Sequence, residues 1–172
     1  DEEFSSGRFV KYEYDKVGNR TRETARATDA EGVVLSDKQG VFDNLNRLTA
    51  LNDVVDSDNT TSGWDANGNQ TAKTRGGVTT EYRYDARDKM VEVAQGESIL
   101  GRYQYDADGR RSKRIGSDGL RQYVYDDAST LAEYDENGNR VAKYDYGSDR
   151  LISATLAGEG AGLLVFAGGT DL

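Results

Sequence analysis

Strict alternation of apolar and polar positions runs through short stretches of this chain. In FVKYEYD, Val10, Tyr12 and Tyr14 fall on one face and Lys11 and Glu13 on the other. In GRYQYD, Tyr103 and Tyr105 oppose Arg102 and Gln104. A period of two predicts half-buried strands, and tyrosine and β-branched residues suit such pleated surfaces. The phrase then repeats. Aromatic-plus-turn signals occur at Tyr14-Asp15, Phe42-Asp43, Trp64-Asp65, Tyr84-Asp85, Tyr105-Asp106, Tyr125-Asp126 and Tyr146-Gly147. Their spacings are 28, 22, 20, 21, 20 and 21 residues. A fixed period near 20 denotes one supersecondary unit per repeat, enough for two strands and two short turns and too short for a helical hairpin.

The turn chemistry agrees. In DKVGN, DANGN, DADGR and DENGN the aspartate can accept a hydrogen bond from the backbone two residues on, and Gly18, Gly68, Gly109 and Gly138 supply a left-handed residue. Asn46 in DNLNR, Asp88 in DARDK and Asp149 in GSDR are the substitutes. The arginine after the turn (Arg20, Arg47, Arg110, Arg140, Arg150) begins the return strand and can lie on a cross-strand aromatic. The second turn of each repeat falls in TDAEG, DSDNT, RGG, QGES and GSDG. Tyr134-Asp135, midway between Tyr125 and Tyr146, reads as the second turn of its repeat. The expectation is twelve to sixteen antiparallel strands and no helix. Residues 1–153 form the repeat region, with six to seven repeats. Residues 154–172 form a glycine-rich tail whose LLVF run is a last strand or the start of a truncated segment.

Composition narrows the function. The 172 residues carry 22 basic and 31 acidic side chains, for a net charge of −9. That balance argues against a nucleic-acid partner. There is no apolar run long enough for a membrane span. No signal peptide opens the chain, and Asp1 suggests an excised piece or a processed product. Histidine and cysteine are absent, which excludes Ser-His-Asp and Cys-His chemistry and cysteine-ligated zinc within these residues. Proline is absent too, so no ladder position lacks its N–H. Leu, Ile, Val and Phe together make up under a fifth of the chain, near the border of disorder. The eleven tyrosines, all inside the repeated phrase and ten of them in Y-x-Y pairs, decide for a folded sheet.

Y-x-Y-D-x-x-G-N/R at this period resembles the Rhs/YD repeat, with YVYDDASTLAEYDENGNRVAKYDYGSDRLIS as the strongest match and Phe9 to Ser153 as its extent. The resemblance takes in bacterial Rhs polymorphic toxins, cocoon subunits of insecticidal toxin complexes, and teneurins. It implies an all-β strip of antiparallel hairpin repeats, curled as an open β-solenoid, that forms part of a shell around a C-terminal toxin. The self-cleavage motif of such shells contains proline, which is missing here, and these residues are too few to close a shell. What carries over is a secreted wall segment. Its partners would be further repeats of a longer chain and an enclosed toxin domain, and its unpaired strand edges lead to an expectation of edge-to-edge self-association.

The candidate residues are therefore structural: Tyr12, Tyr14, Asp15, Gly18, Phe42, Asp43, Trp64, Asp65, Gly68, Tyr82, Tyr84, Asp85, Tyr103, Tyr105, Asp106, Gly109, Tyr123, Tyr125, Asp126, Tyr134, Asp135, Gly138, Tyr144 and Tyr146. No catalytic, cofactor or metal residue is expected. Calcium needs six or more oxygens and a terminal glutamate at fixed spacing, which does not recur. No carboxylate pair stands out for glycosidase chemistry. The glycine-rich GEGAG and GSDG lack a phosphate loop's lysine, and the basic run Arg110 to Arg114 alternates between faces. The other function considered is a surface adhesion or carbohydrate-binding module with exposed aromatics.

Overall fold

The computed structural model describes residues 8–147 and 150–157 in full and residues 162–165 by their backbone. Among these residues every regular element is a strand. They are β1 (Arg8–Tyr14), β2 (Arg20–Ala27), β3 (Val34–Phe42), β4 (Leu48–Asp53), β5 (Thr60–Trp64), β6 (Gln70–Arg75), β7 (Val78–Tyr84), β8 (Met90–Gln95), β9 (Ser98–Tyr105), β10 (Arg111–Gly116), β11 (Gly119–Asp126), β12 (Ser129–Tyr134), β13 (Arg140–Tyr146), β14 (Leu151–Leu156) and β15 (Gly162–Val165). The all-β expectation holds. Two compact units divide after Tyr82, inside β7. In each, strand order is chain order and neighbours are antiparallel. The apolar tail supplies β15, which pairs with β14 through Ala154↔Leu164 and its neighbours. Asp149 lies outside the described residues.

Two kinds of turn recur. Short ones join strands at paired ends: Gly76-Gly77 between Arg75 and Val78, and Gly96-Glu97 between Gln95 and Ser98. Both glycines of the first have positive φ, 56° and 77°, as a type I′ hairpin requires. The long turns follow the aromatic-aspartate phrase. Just before five of them the register slips by a residue. Tyr14 pairs with Arg20 while Glu13 pairs with Arg22, leaving Thr21 as the extra residue. The same bulge sets off Thr49, Thr71, Ser112 and Val141 on their return strands. Two of these extra side chains tie the irregularity down: the Thr21 hydroxyl donates to the Glu13 carbonyl at 3.3 Å and Thr49 to Val41 at 3.1 Å. Bulges raise local twist, and further slips at Ala25/Arg26, Val93/Ala94 and Val124/Tyr125 add to it beside other turns.

There is little interior. Among the described residues the buried apolar side chains are Ala25, Ala94, Ala132, Ala142 and Ala154, and no large side chain is fully buried. Alanine lets neighbouring strands and their long side chains lie close without forming a thick core. Gly40 serves the same end in β3. A Cβ there would sit 2.9 Å from the Arg20 carbonyl and 2.9 Å from the Phe42 ring.

Gly40→Ala should therefore lose about 1–3 kcal/mol in urea unfolding, the range for overpacking, although glycine-to-alanine in an open strand is ordinarily neutral or stabilising. Gly63→Ala, whose nearest contact is the flexible Thr71 hydroxyl at 3.3 Å, should lose less. Equal losses would show that the close approach at Gly40 is unimportant.

Candidate functional site

The most highly built feature is the aspartate turn. In the first, Asp15 N–H donates to the Asn19 carbonyl at 3.0 Å and Gly18 N–H to the Asp15 carbonyl at 3.2 Å. The Asp15 carboxylate fills the loop: Oδ1 accepts the N–H groups of Val17 at 3.0 Å and Asn19 at 2.8 Å, and Oδ2 accepts the Asn19 side-chain amide at 2.8 Å. Gly18 has φ 90°, the left-handed residue the loop needs.

The pattern recurs at Asp43, Asp65, Asp85, Asp106 and Asp135. Their Oδ1 atoms accept the amides of Arg47, Asn69, Lys89, Arg110 and Asn139 at 2.8–3.0 Å. Their left-handed residues are Asn46, Gly68, Asp88, Gly109 and Gly138. The fifth residue sets what Oδ2 binds. Asn69 and Asn139 offer an amide at 3.0 Å each, and Arg47 and Arg110 offer Nε at 2.7 and 2.8 Å. Each carboxylate is held below its ordinary value of 3.8. The leading cause is a hydrogen bond from the fifth residue: its side chain at Asp15, Asp65, Asp106 and Asp135, its backbone amide at Asp43 and Asp85.

Neighbouring turns are stapled together. Asn19 reaches Asn46 at 3.0 Å, the Arg47 guanidinium donates to the Asp65 carbonyl at 2.7 Å, and Arg110 donates to the Asp127 carbonyl at 2.7 Å. The same cations cover aromatics. Arg47 lies 5.9 Å from the Trp64 ring, Lys89 6.0 Å from Tyr105 and Arg110 5.4 Å from Tyr125. The aromatics answer with their polar ends. Trp64 Nε1 donates to the Leu48 carbonyl at 3.0 Å, Tyr105 to Met90 at 2.8 Å and Tyr125 to Arg111 at 2.9 Å. In each case the acceptor is the residue next after the covering cation. An aromatic of one repeat is thus fastened to the start of the preceding return strand, which explains the pairing of tyrosine with aspartate in the motif.

The remaining candidates fall on the same framework. Tyr12 and Tyr14 lie in exposed β1, with Arg20 5.3 Å from the Tyr12 ring. Phe42 ends β3, Tyr82 and Tyr84 lie in β7, and Tyr103 lies in β9 under Arg111 at 5.0 Å. Tyr123 faces Glu133 across β11 and β12, and Tyr134 ends β12. Tyr146 ends β13. Tyr144 donates to Glu133 at 2.7 Å. Burial first, then that carboxylate, pushes its phenol up to about 12. Asp126 differs from the other aspartates. It is the last ladder residue of β11, paired with Ser129 across a two-residue Asp127-Ala128 turn. DDAS has no glycine at the left-handed position, and Asp127 takes φ 49° two positions earlier. The Asp135 turn lies at the opposite end of these strands, between β12 and β13.

Sequence reasoning missed the bulge. Its signal is the Thr or Ser seven residues after the aromatic, at Thr21, Thr49, Thr71 and Ser112. It also missed a polar concavity of about 400 Å³ lined by Lys38, Asp53, Asp58, Lys73 and Arg75. Two of its three acids are already engaged: Asp53 accepts the amides of Val55 and Asp56 at 3.1 Å, and Asp58 pairs with Arg75. Among the described residues no group of three acids could hold a metal ion, and no helix is long and apolar enough to cross a membrane.

Two outcomes test this framework. Depressed carboxylates add stability that is present above pH 4 and lost as pH falls through their folded values. The urea midpoint should hold steady from neutrality to about pH 5 and fall below pH 4, with a shallower fall in Asp65→Asn. An unchanged midpoint at pH 3 would refute the role of the turns. Tyr105→Phe orphans the Met90 carbonyl and should cost about 0.5–1.5 kcal/mol, whereas Tyr12→Phe should stay within about 0.5 kcal/mol of the parent. Equal effects would remove the aromatic staple.

Comparison with known proteins agrees with this geometry. The RHS Repeat matches residues 64–98, the stretch from Trp64 through the Asp65 and Asp85 turns. No curated protein matches. Among solved structures, "Crystal Structure of TcdB2-TccC3" superposes with a TM-score of 0.59 at 15% identity, over 83% of this chain and 9% of that one. "Crystal Structure of TcdB2-TccC3-Cdc42" gives 0.35 at 13% identity, over 91% of this chain and 12% of that one. This chain thus spans under an eighth of the length of either. The first likeness shows the fold. Residues 64–98 thus resemble an RHS repeat, and the same motif recurs at the same period in the other turns.

Proposed function

We propose that this chain is a wall segment of a secreted container, curled around an enclosed toxic domain and continued by further repeats. The observation that carries the reading is the near absence of a core: among the described residues no large side chain is fully buried. A single layer held by turns and staples can enclose volume instead of filling it. The likeness to a segment of the TcdB2-TccC3 chain supports a structural, non-catalytic role. Among the described residues the sheet begins at β1, whose outer edge is a template for another strand. That edge would receive a neighbouring repeat in a longer protein, or a second copy in isolation. Engagement of Trp64, Tyr105 and Tyr125 in staples favours this role over adhesion through exposed aromatics.

Electron microscopy of the natural protein that carries these residues should show a hollow shell with internal density, and a protease should spare the enclosed domain until the shell is opened. A solid or extended particle with no lumen would overturn the proposal. So would glycan binding that Tyr103→Ala and Tyr123→Ala abolish without unfolding, which is the behaviour of an adhesion module.

A further inference from the structure

The chain has nine asparagines, and two of them, Asn67 and Asn137, precede glycine. Both stand at the exposed tip of an aspartate turn. We propose that these two are built-in modification sites, where spontaneous deamidation opens the turns that hold the sheet together. In this reaction the backbone nitrogen of the following residue gives its proton to water or hydroxide and attacks the asparagine Cγ. A C–N bond forms, the Cγ–NH₂ bond breaks, and ammonia leaves. Water then opens the five-membered imide at either carbonyl, giving aspartate or isoaspartate. No other reactant is needed.

The structure favours these two sites in two ways. Gly68 and Gly138 are exposed and carry no side chain to hinder approach of their nitrogens to the asparagine Cγ. Each nitrogen is weakly held, donating to the Asp65 or Asp135 carbonyl at 3.3 and 3.2 Å, at the long end for such bonds. Five of the other asparagines lack one or more of these advantages for clear reasons. Asn19, Asn69 and Asn139 precede Arg20, Gln70 and Arg140, which carry the side chains that glycine lacks. Asn46 precedes Arg47, and Asn44 precedes Leu45. The equivalent Asp108-Gly109 pair carries a carboxylate, a poorer electrophile than an amide, ion-paired to Arg110 at 2.7 Å, with Lys89 crowding the glycine at 3.1 Å.

Isoaspartate would add an atom to the main chain inside a loop whose bonds depend on its length. The Asn137 amide donates to Asp135 Oδ1 at 2.9 Å and the Asn139 amide to the same atom at 2.8 Å. An extra backbone atom between them cannot preserve both. The charge change alone would leave the loop intact, so the isoaspartate product is the damaging one.

The test is to incubate the purified chain at mildly alkaline pH and map its peptides over time by mass spectrometry with isoaspartate-sensitive fragmentation. Hydrogen exchange of β5–β6 and β12–β13 is followed in parallel. The expected result is amide-to-acid conversion at Asn67 and Asn137 before any of the other seven asparagines, with exchange rising in those two hairpins alone. The variant N67D/N137D carries the charges without the longer backbone and should keep the original exchange. Conversion elsewhere at an equal rate would overturn the site assignment. Unchanged exchange in the aged protein, or equal loosening in N67D/N137D, would overturn the isoaspartate mechanism.

Discussion

A sheet one layer thick must hold its strands in register without the burial that stabilises most domains. Apolar burial supplies the dominant favourable term in folding, yet here the buried apolar side chains are alanines. The constraint is met at the strand ends, where a carboxylate is inserted into each long turn and collects the N–H groups that a five-residue loop would leave to water. Asp15, Asp43, Asp65, Asp85, Asp106 and Asp135 each perform this task. Charge-assisted bonds are shorter and stronger than neutral ones, and every such turn pins the register of one hairpin.

Register at one turn is then passed to the next. The residue that closes a turn, Arg47 or Arg110, reaches the carbonyl of the following turn and covers the aromatic before it. The aromatic donates back to the strand it overlies. Individually these contacts are modest. Repeated at a fixed period they make a chain of local constraints, as in other repeat proteins whose stability sums over neighbours. The bulges beside five of these turns belong to the same device, since they set twist at the place where register is fixed.

Much of this was legible in residues. Period-two tyrosines named the strands, and D-x-x-G named the turns, because both signals arise from local stereochemistry. The substitutes Asn46 and Asp88 also adopt the expected left-handed conformation. Asp126 shows the limit: its dipeptide matches the motif, but the missing glycine lets a tighter hairpin win. The staples were only half visible. Arginine on an aromatic follows from the spacing, whereas a phenol reaching a carbonyl in the preceding repeat depends on how adjacent strands stack. The bulges were hidden because an extra residue alters pairing without altering composition.

The most direct measurement is native-state hydrogen exchange at the amides that the turn carboxylates accept, those of Asn19, Arg47, Asn69, Lys89, Arg110 and Asn139. If the aspartates hold the sheet, these amides are protected as strongly as the ladder amides of the strands they join. Exchange at the rate of open loops, with protection confined to strand centres, would show that the ladder stands without its turns.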